Sequence, residues 1–119
     1  MDDRIKVLIV DDSSDIRVLV SKLCKRNGWE TCLSENGQEA IDIIQKDDSF
    51  AFIFMDIKMP IMDGLEAAKK IKELNSSIFI IALSADDKEK YVDDVGNYTP
   101  FDDFISKDDI NKIINFKMT

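Results

Sequence analysis

The chain is expected to fold as an α/β protein, a three-layer α/β/α sandwich, and three features of its 119 residues predict this. Strand-like and helix-like patterns alternate at about one βα unit per 20 to 25 residues, without repeats or low-complexity tracts. Ile5 to Val10, Ala51 to Met55 and Ile78 to Leu83 are nearly continuous apolar runs, as in strands covered by helices on both faces of a parallel sheet. These runs, and a fourth at Phe104-Ile105, end in polar residues: Asp11-Asp12, Asp56, Ser84 and Ser106-Lys107. A parallel sheet would gather those ends at one edge, the edge at which open α/β sheets bind ligands.

The elements follow in order. After the first strand, Ser13 and Ser14 offer N-caps, and Ile16, Leu19, Val20, Leu23 and Cys24 recur at helical spacing until Asn27-Gly28 ends the helix. Trp29 to Leu33 reads as a shorter, more polar strand suited to a sheet edge. Asn36-Gly37-Gln38-Glu39 supplies an N-cap and capping-box glutamate ahead of Ala40, Ile43 and Ile44. Asp63-Gly64-Leu65-Glu66 repeats that signal before Ala67, Ile71 and Leu74, and Asn75-Ser76-Ser77 breaks the third helix. The stretch from Asp86 to Val95 has only Tyr91, Val92 and Val95 as an apolar face, so the fourth helix is expected to be the least stable. The fifth strand, at Phe104-Ile105, leads into a helix bearing Ile110, Ile113 and Ile114.

Residues 1–119 have the length of one domain with one function. Sixteen basic against 24 acidic residues give a net charge of −8, which argues against direct binding to nucleic acid or an anionic membrane. No histidine is present, and the two cysteines, Cys24 and Cys32, fall on an apolar stripe and in a strand. A Cys/His zinc site and a histidine-based triad are therefore excluded, and reduced, buried thiols in a cytoplasmic protein are expected. No run is long enough to span a membrane, and Met1-Asp2-Asp3-Arg4 lacks signal-peptide character.

Considered singly, each strand-end residue has an ordinary explanation: Asp12 could cap the first helix, Ser84 the fourth, and Lys107 could be a solvated lysine. Asp56 is harder to dismiss, because it ends a strand too apolar for the surface and Asp63 already caps the next helix. Clustered carboxylates at an effective dielectric near 20 repel by a few kcal/mol and call for a counter-charge, on the order of that of a divalent cation. All-oxygen ligands with room for water favour Mg²⁺, while Ca²⁺ is disfavoured by the lack of an EF-hand spacing. Lys107 offers a second positive charge and Ser84 a hydroxyl.

The order acid pair, acid, hydroxyl, lysine resembles the receiver domain of two-component response regulators over essentially the whole chain. The segment from Met55-Asp56-Ile57-Lys58-Met59-Pro60 to Asp63-Gly64 is similar to that family's phosphoacceptor segment almost residue for residue. The resemblance implies a flavodoxin-like (βα)5 fold with strand order 2-1-3-4-5 and a ligand site between the first and third strands. It implies that Asp56 accepts a phosphoryl group from the phosphohistidine of a sensor histidine kinase or a histidine phosphotransfer protein. Asp12 would then bind Mg²⁺ directly, Asp11 mainly through water, and the Lys58 carbonyl would complete the protein ligands. Ser84 would sense the phosphoryl group, Lys107 would pair with it, and Phe104 would be an aromatic switch unless it is simply a core residue. The output partner would dock on the face made by the fourth helix, fifth strand and fifth helix. The product is a signalling switch rather than an enzyme.

The chain departs from the family in two places. Asp108 follows Lys107 where the family usually has proline after a cis peptide bond, and cis before a non-proline costs roughly 3 to 4 kcal/mol. A trans bond or a strained loop is expected, with Asp108 capping the last helix. The small residues usual before the fifth strand are replaced by Gly96 to Asp103, in which Tyr98 and Phe101 either reshape the output face or, for Phe101, fill the core. A Lys58–Asp86 ion pair across the site mouth is a further expectation.

Three competing functions start from the same residues. A Mg²⁺-dependent aspartyl-phosphate phosphohydrolase would usually carry a second acid where Lys58 stands. A flavin-phosphate binder would need a Ser/Thr/Gly-rich loop where Asp11, Asp12 and Asp15 stand. A receiver-like docking module without phosphorylation would not need all five site residues.

Overall fold

The computed structural model describes residues 5–85 and 100–115. Five parallel strands form one sheet in the order β2-β1-β3-β4-β5. They are β1 (Lys6–Val10), β2 (Glu30–Ser34), β3 (Phe52–Asp56), β4 (Phe79–Ser84) and β5 (Asp103–Ser106). Among the described residues, three α-helices, α1 (Ser14–Arg26), α2 (Gly37–Lys46) and α3 (Gly64–Leu74), and a 3-10 helix (Lys107–Asn115) cover its two faces. Among the described residues no helix is long and apolar enough to cross a membrane.

Alternation along the strands divides the core in two. Leu8, Val10, Ile53, Met55, Ile80 and Ala82 face α2 and α3, packing with Ala40, Ile44, Ala67, Ala68 and Ile71. Val7, Ile9, Phe52, Phe54, Ile81 and Leu83 face the other side, with Val20, Leu23 and Cys24 of α1 and Ile110 and Ile113 of the 3-10 helix. The central strand side chains are fully buried, and each large one contributes about 1.5 to 3 kcal/mol.

Short polar side chains start each α-helix as the sequence predicts. Ser13, Asn36 and Asp63 accept hydrogen bonds from the backbone N–H groups of Ile16, Glu39 and Glu66. At the end of α1, Gly28 takes φ 82°; its N–H donates to Lys25 O, and the Trp29 N–H donates to Cys24 O. This six-to-one, five-to-two pattern is a Schellman cap. It commits Trp29 to the helix end, with its ring centroid 5.1 Å from that of Phe52, so β2 begins at Glu30, one residue later than predicted.

The strand β5 is tied at both ends. At its start, Asp102 Oδ2 accepts from Ile80 N at 2.8 Å and pairs with Lys72 Nζ of α3 at 2.6 Å. At its finish, Lys107 turns into the site described below.

One open alternative is decided here and two expectations are corrected. Phe101 is 5% exposed and belongs to the core cluster against α2 and α3, so it fills the interior and does not reshape an outer face. The last element is a 3-10 helix kinked at Asp109, and its cap is Ser106, whose Oγ accepts from Asp108 N at 3.2 Å; Asp108 lies inside the helix. Cys32 is only half-buried, whereas Cys24 is buried and burial pushes its thiol up to about 12. The expectations for the fourth helix, Tyr98 and the Lys58–Asp86 pair fall outside the described residues.

Candidate functional site

The sheet register sets the site. Val10 pairs with Met55, Asp56 with Leu83, and Ser84 with Ser106, so β1, β3, β4 and β5 all end at one level. Asp11 and Asp12 leave β1 there, Asp56 and Ser84 end their strands, and Lys107 follows β5. One carboxylate oxygen from each of Asp11, Asp12 and Asp56 lies within 4.8 Å of the others. A cleft of about 260 Å³ opens over them, lined by Asp12, Asp56, Lys58, Ser84, Ala85 and Lys107. At about 30 Å³ per water, it has room for a small tetrahedral group with part of its hydration.

Asp11 is fully buried, and Ser13 N donates to its Oδ1 at 2.9 Å. Among the described residues its Oδ2 accepts no hydrogen bond of good geometry and faces the Lys107 ammonium, with Nζ 3.0 Å away, as an ion pair. The same ammonium lies 3.3 Å from Asp56 Oδ1. Lys107 therefore reaches both acids although Asp108, not proline, follows it.

Burial, and then the negative charge of Asp11, push the Asp56 carboxyl up to about 6, against the pull of Lys107. Burial works to lower Lys107, but its close contact with Asp11 and the charges of Asp56 and Asp11 outweigh this and raise it. The result is a buried carboxylate still mostly ionised at neutral pH beside a firmly charged ammonium. Such a carboxylate can act as a nucleophile.

A hard cation fits this donor set. The ligands are all oxygen, and among the described residues the buried Asp11 Oδ2 accepts no hydrogen bond of good geometry. Asp12, which is exposed, brings its carboxylate to the cleft. Lys58 is exposed at the cleft wall. Phe104 is half-buried and packs against the cluster that contains Phe101.

Two residues have supporting roles that the sequence did not assign them. Gly64 brings the start of α3 onto the site backbone: its N–H donates to Ile57 O at 2.6 Å, and a Cβ there would lie 2.0 Å from Asp56 O. Arg17 Nη1 donates to Asp11 O at 2.7 Å. A cation in the first turn of α1, where the helix dipole disfavours it, was the available signal.

Residues 7–116 match the family model of the response regulator receiver domain. The chain belongs to that family. Over 80 residues this receiver domain is 36% identical to sporulation initiation phosphotransferase F of Bacillus subtilis, covering 67% of the chain and 64% of the relative. It is 39% identical over 93 residues to hybrid signal transduction histidine kinase E of Dictyostelium discoideum, covering 74% of the chain and 6% of the kinase. The chain thus spans less than two thirds of either relative. Among solved structures, the Thermotoga maritima response regulator TrrA in complex with Mg²⁺-BeF matches with a TM-score of 0.76 at 30% identity, covering 87% of this chain and 86% of that one. The protein is a receiver domain of two-component signalling with an acidic pocket at the C-terminal edge of its sheet.

Proposed function

We propose that residues 1–119 act as one phosphoacceptor receiver whose Asp56 takes a phosphoryl group from a phosphohistidine. The donor is a sensor histidine kinase or a histidine phosphotransfer protein, a reading supported by the phosphotransferase and hybrid kinase among its relatives. The carrying observation is the Lys107 ammonium 3.0 Å from Asp11 and 3.3 Å from Asp56, within a cluster of three carboxylates.

An Asp56 oxygen attacks phosphorus in line, the P–N bond to the donor imidazole breaks, and its electron pair returns to the ring nitrogen. Lys107 follows the charge onto the transferred oxygens, and the Ser84 hydroxyl donates to one of them. Asp11, Asp12, Asp56 and the Lys58 carbonyl would hold Mg²⁺, with Asp11 acting through water. When bound, the ion supplies positive charge to the phosphoryl oxygens. Water later attacks the acyl phosphate, regenerating the carboxylate and releasing inorganic phosphate.

Ser84 and Phe104 couple occupancy of the site to a partner-binding face around β5, which makes the protein a switch rather than a turnover enzyme. Its free cysteines suit a reducing, cytoplasmic compartment.

The test is incubation with Mg²⁺ and acetyl phosphate followed by intact-protein mass spectrometry. A single phosphoryl adduct in the wild type, absent in Asp56→Asn, is expected. No adduct at any Mg²⁺ concentration would overturn the proposal in favour of a docking module that is never phosphorylated.

A further inference from the structure

Asp12 is the one acid of the cluster that is exposed, and among the described residues its side chain has no hydrogen-bond partner to aim it. The backbone that carries it, through the Asp11–Asp12 peptide, sets where its Cα–Cβ bond starts and so how readily the carboxylate reaches the cleft. That peptide is held from one side by a single side chain: Arg17 Nη1 donates to Asp11 O at 2.7 Å, and the Arg17 side chain is 14% exposed. Nη2 of the same guanidinium lies 3.8 Å from Glu35 Oε1, just beyond β2. Asp11 N donates to Ser34 O at 3.2 Å in the same place. The loop after β1 and the loop after β2 are thus joined through Arg17.

We infer that Arg17 is a positioning residue for the metal ligand Asp12, fixing the Asp11–Asp12 peptide plane so that the Asp12 carboxylate enters the cleft already aimed. The inference rests on the proposed Mg²⁺-dependent function. A guanidinium suits the task because its planar fork engages Asp11 O and Glu35 at once, which an ammonium does not reproduce. Its cost near the positive end of the α1 dipole is offset by the hydrogen bond to Asp11 O and, more weakly, by the exposed Glu35 carboxylate 3.8 Å away. Arg17 touches neither a reacting atom nor the cation, so its effect should appear in cation affinity.

The experiment is Mg²⁺ titration of wild type, Arg17→Met and Arg17→Lys by calorimetry, paired with the Mg²⁺ dependence of phosphorylation by acetyl phosphate. Loss of an orienting contact behind a ligand typically weakens metal affinity by about 10-fold or more, and that rise in Kd is expected for Arg17→Met. Arg17→Lys should fall between, at about threefold, because it keeps the charge but not the fork. The Mg²⁺ concentration for half-maximal phosphorylation should change more than the rate at saturating Mg²⁺, whereas general damage to the fold would lower the saturated rate most.

A Kd within twofold of wild type in Arg17→Met overturns the inference and leaves the proposed function standing. If that variant does not fold, the same result in Arg17→Lys does so. A Kd difference that disappears in high salt assigns the effect to charge alone and also overturns positioning. A wild type that neither binds Mg²⁺ nor takes a phosphoryl group removes the proposed function and this inference together.

Discussion

Asp56 is where the site's electrostatics can be measured most directly. Its carboxyl is pushed from the usual 3.8 to about 6, so the folded state holds the proton more tightly than the unfolded chain. The stability this confers is complete below about pH 4 and is lost as pH rises through about 6, a span on the order of 3 kcal/mol. Asp47 has the opposite sign: its hydrogen bonds from Lys6 and Ser49 hold it below the usual range, so its contribution is present above the ordinary carboxylate pKa and lost in acid. Asp56→Asn isolates the first effect. In chelator, urea midpoints should show the variant gaining on wild type between about pH 4 and 6 and holding that gain at pH 7. A difference that is flat with pH would mean that Asp56 is not so perturbed. At this scale the sequence was legible where a side chain ends a strand, as for Asp11, Asp56 and Ser84. It was silent on Arg17, and for Lys107 it gave the counter-charge but not its exact aim, because the reach and direction of a long side chain depend on the packed neighbours. Ile61, at φ 73° and largely exposed, was equally unreadable: a β-branched residue there contradicts its own backbone preference.

Among the elements, the sequence was most reliable wherever a cap and a helical stripe agreed, as in α1, α2 and α3. It erred where one residue served two structures. Trp29 was read as the first residue of the strand, yet the Schellman cap claims its N–H. Phe101, for which surface and core were both open, joins the core cluster that holds Ala67 and Ala68 of α3. The start of α3 lies directly on the end of β3 at Gly64. A methyl group there must displace the Asp56 carbonyl, so Gly64→Ala should cost at least about 2 kcal/mol by overpacking and also slow phosphorylation of Asp56. Chemical denaturation and the acetyl phosphate assay measure the two effects separately. An alanine variant of wild-type stability would mean that α3 does not press on the strand end.

For the whole molecule, the parallel sheet concentrates function at one edge and stability in its middle. The continuous apolar runs made the three-layer architecture readable, because only strands covered on both faces can afford them. The strand order came from family resemblance, since hydrophobic pattern does not say which strands are neighbours. The uncompensated charge at the edge predicts a linkage: Mg²⁺ bound to the folded state alone should raise its stability by about 2.7 kcal/mol at a hundredfold excess over Kd. Melting midpoints with and without millimolar Mg²⁺ test this, and Asp12→Ala should abolish the rise. An unchanged wild-type midpoint would argue against the cation.

The two tethers of β5 differ in what they answer to. Lys72 and Asp102 hold its beginning through groups remote from the cleft, while Lys107 holds its end through the very carboxylates that chemistry at the cleft would alter. Between these tethers β4 holds the strand in register, from Ile81 opposite Asp103 to Ser84 opposite Ser106. A change in the charge on Asp56 would therefore be felt first at the Lys107 contact, the one tether that shares its carboxylates with the cleft.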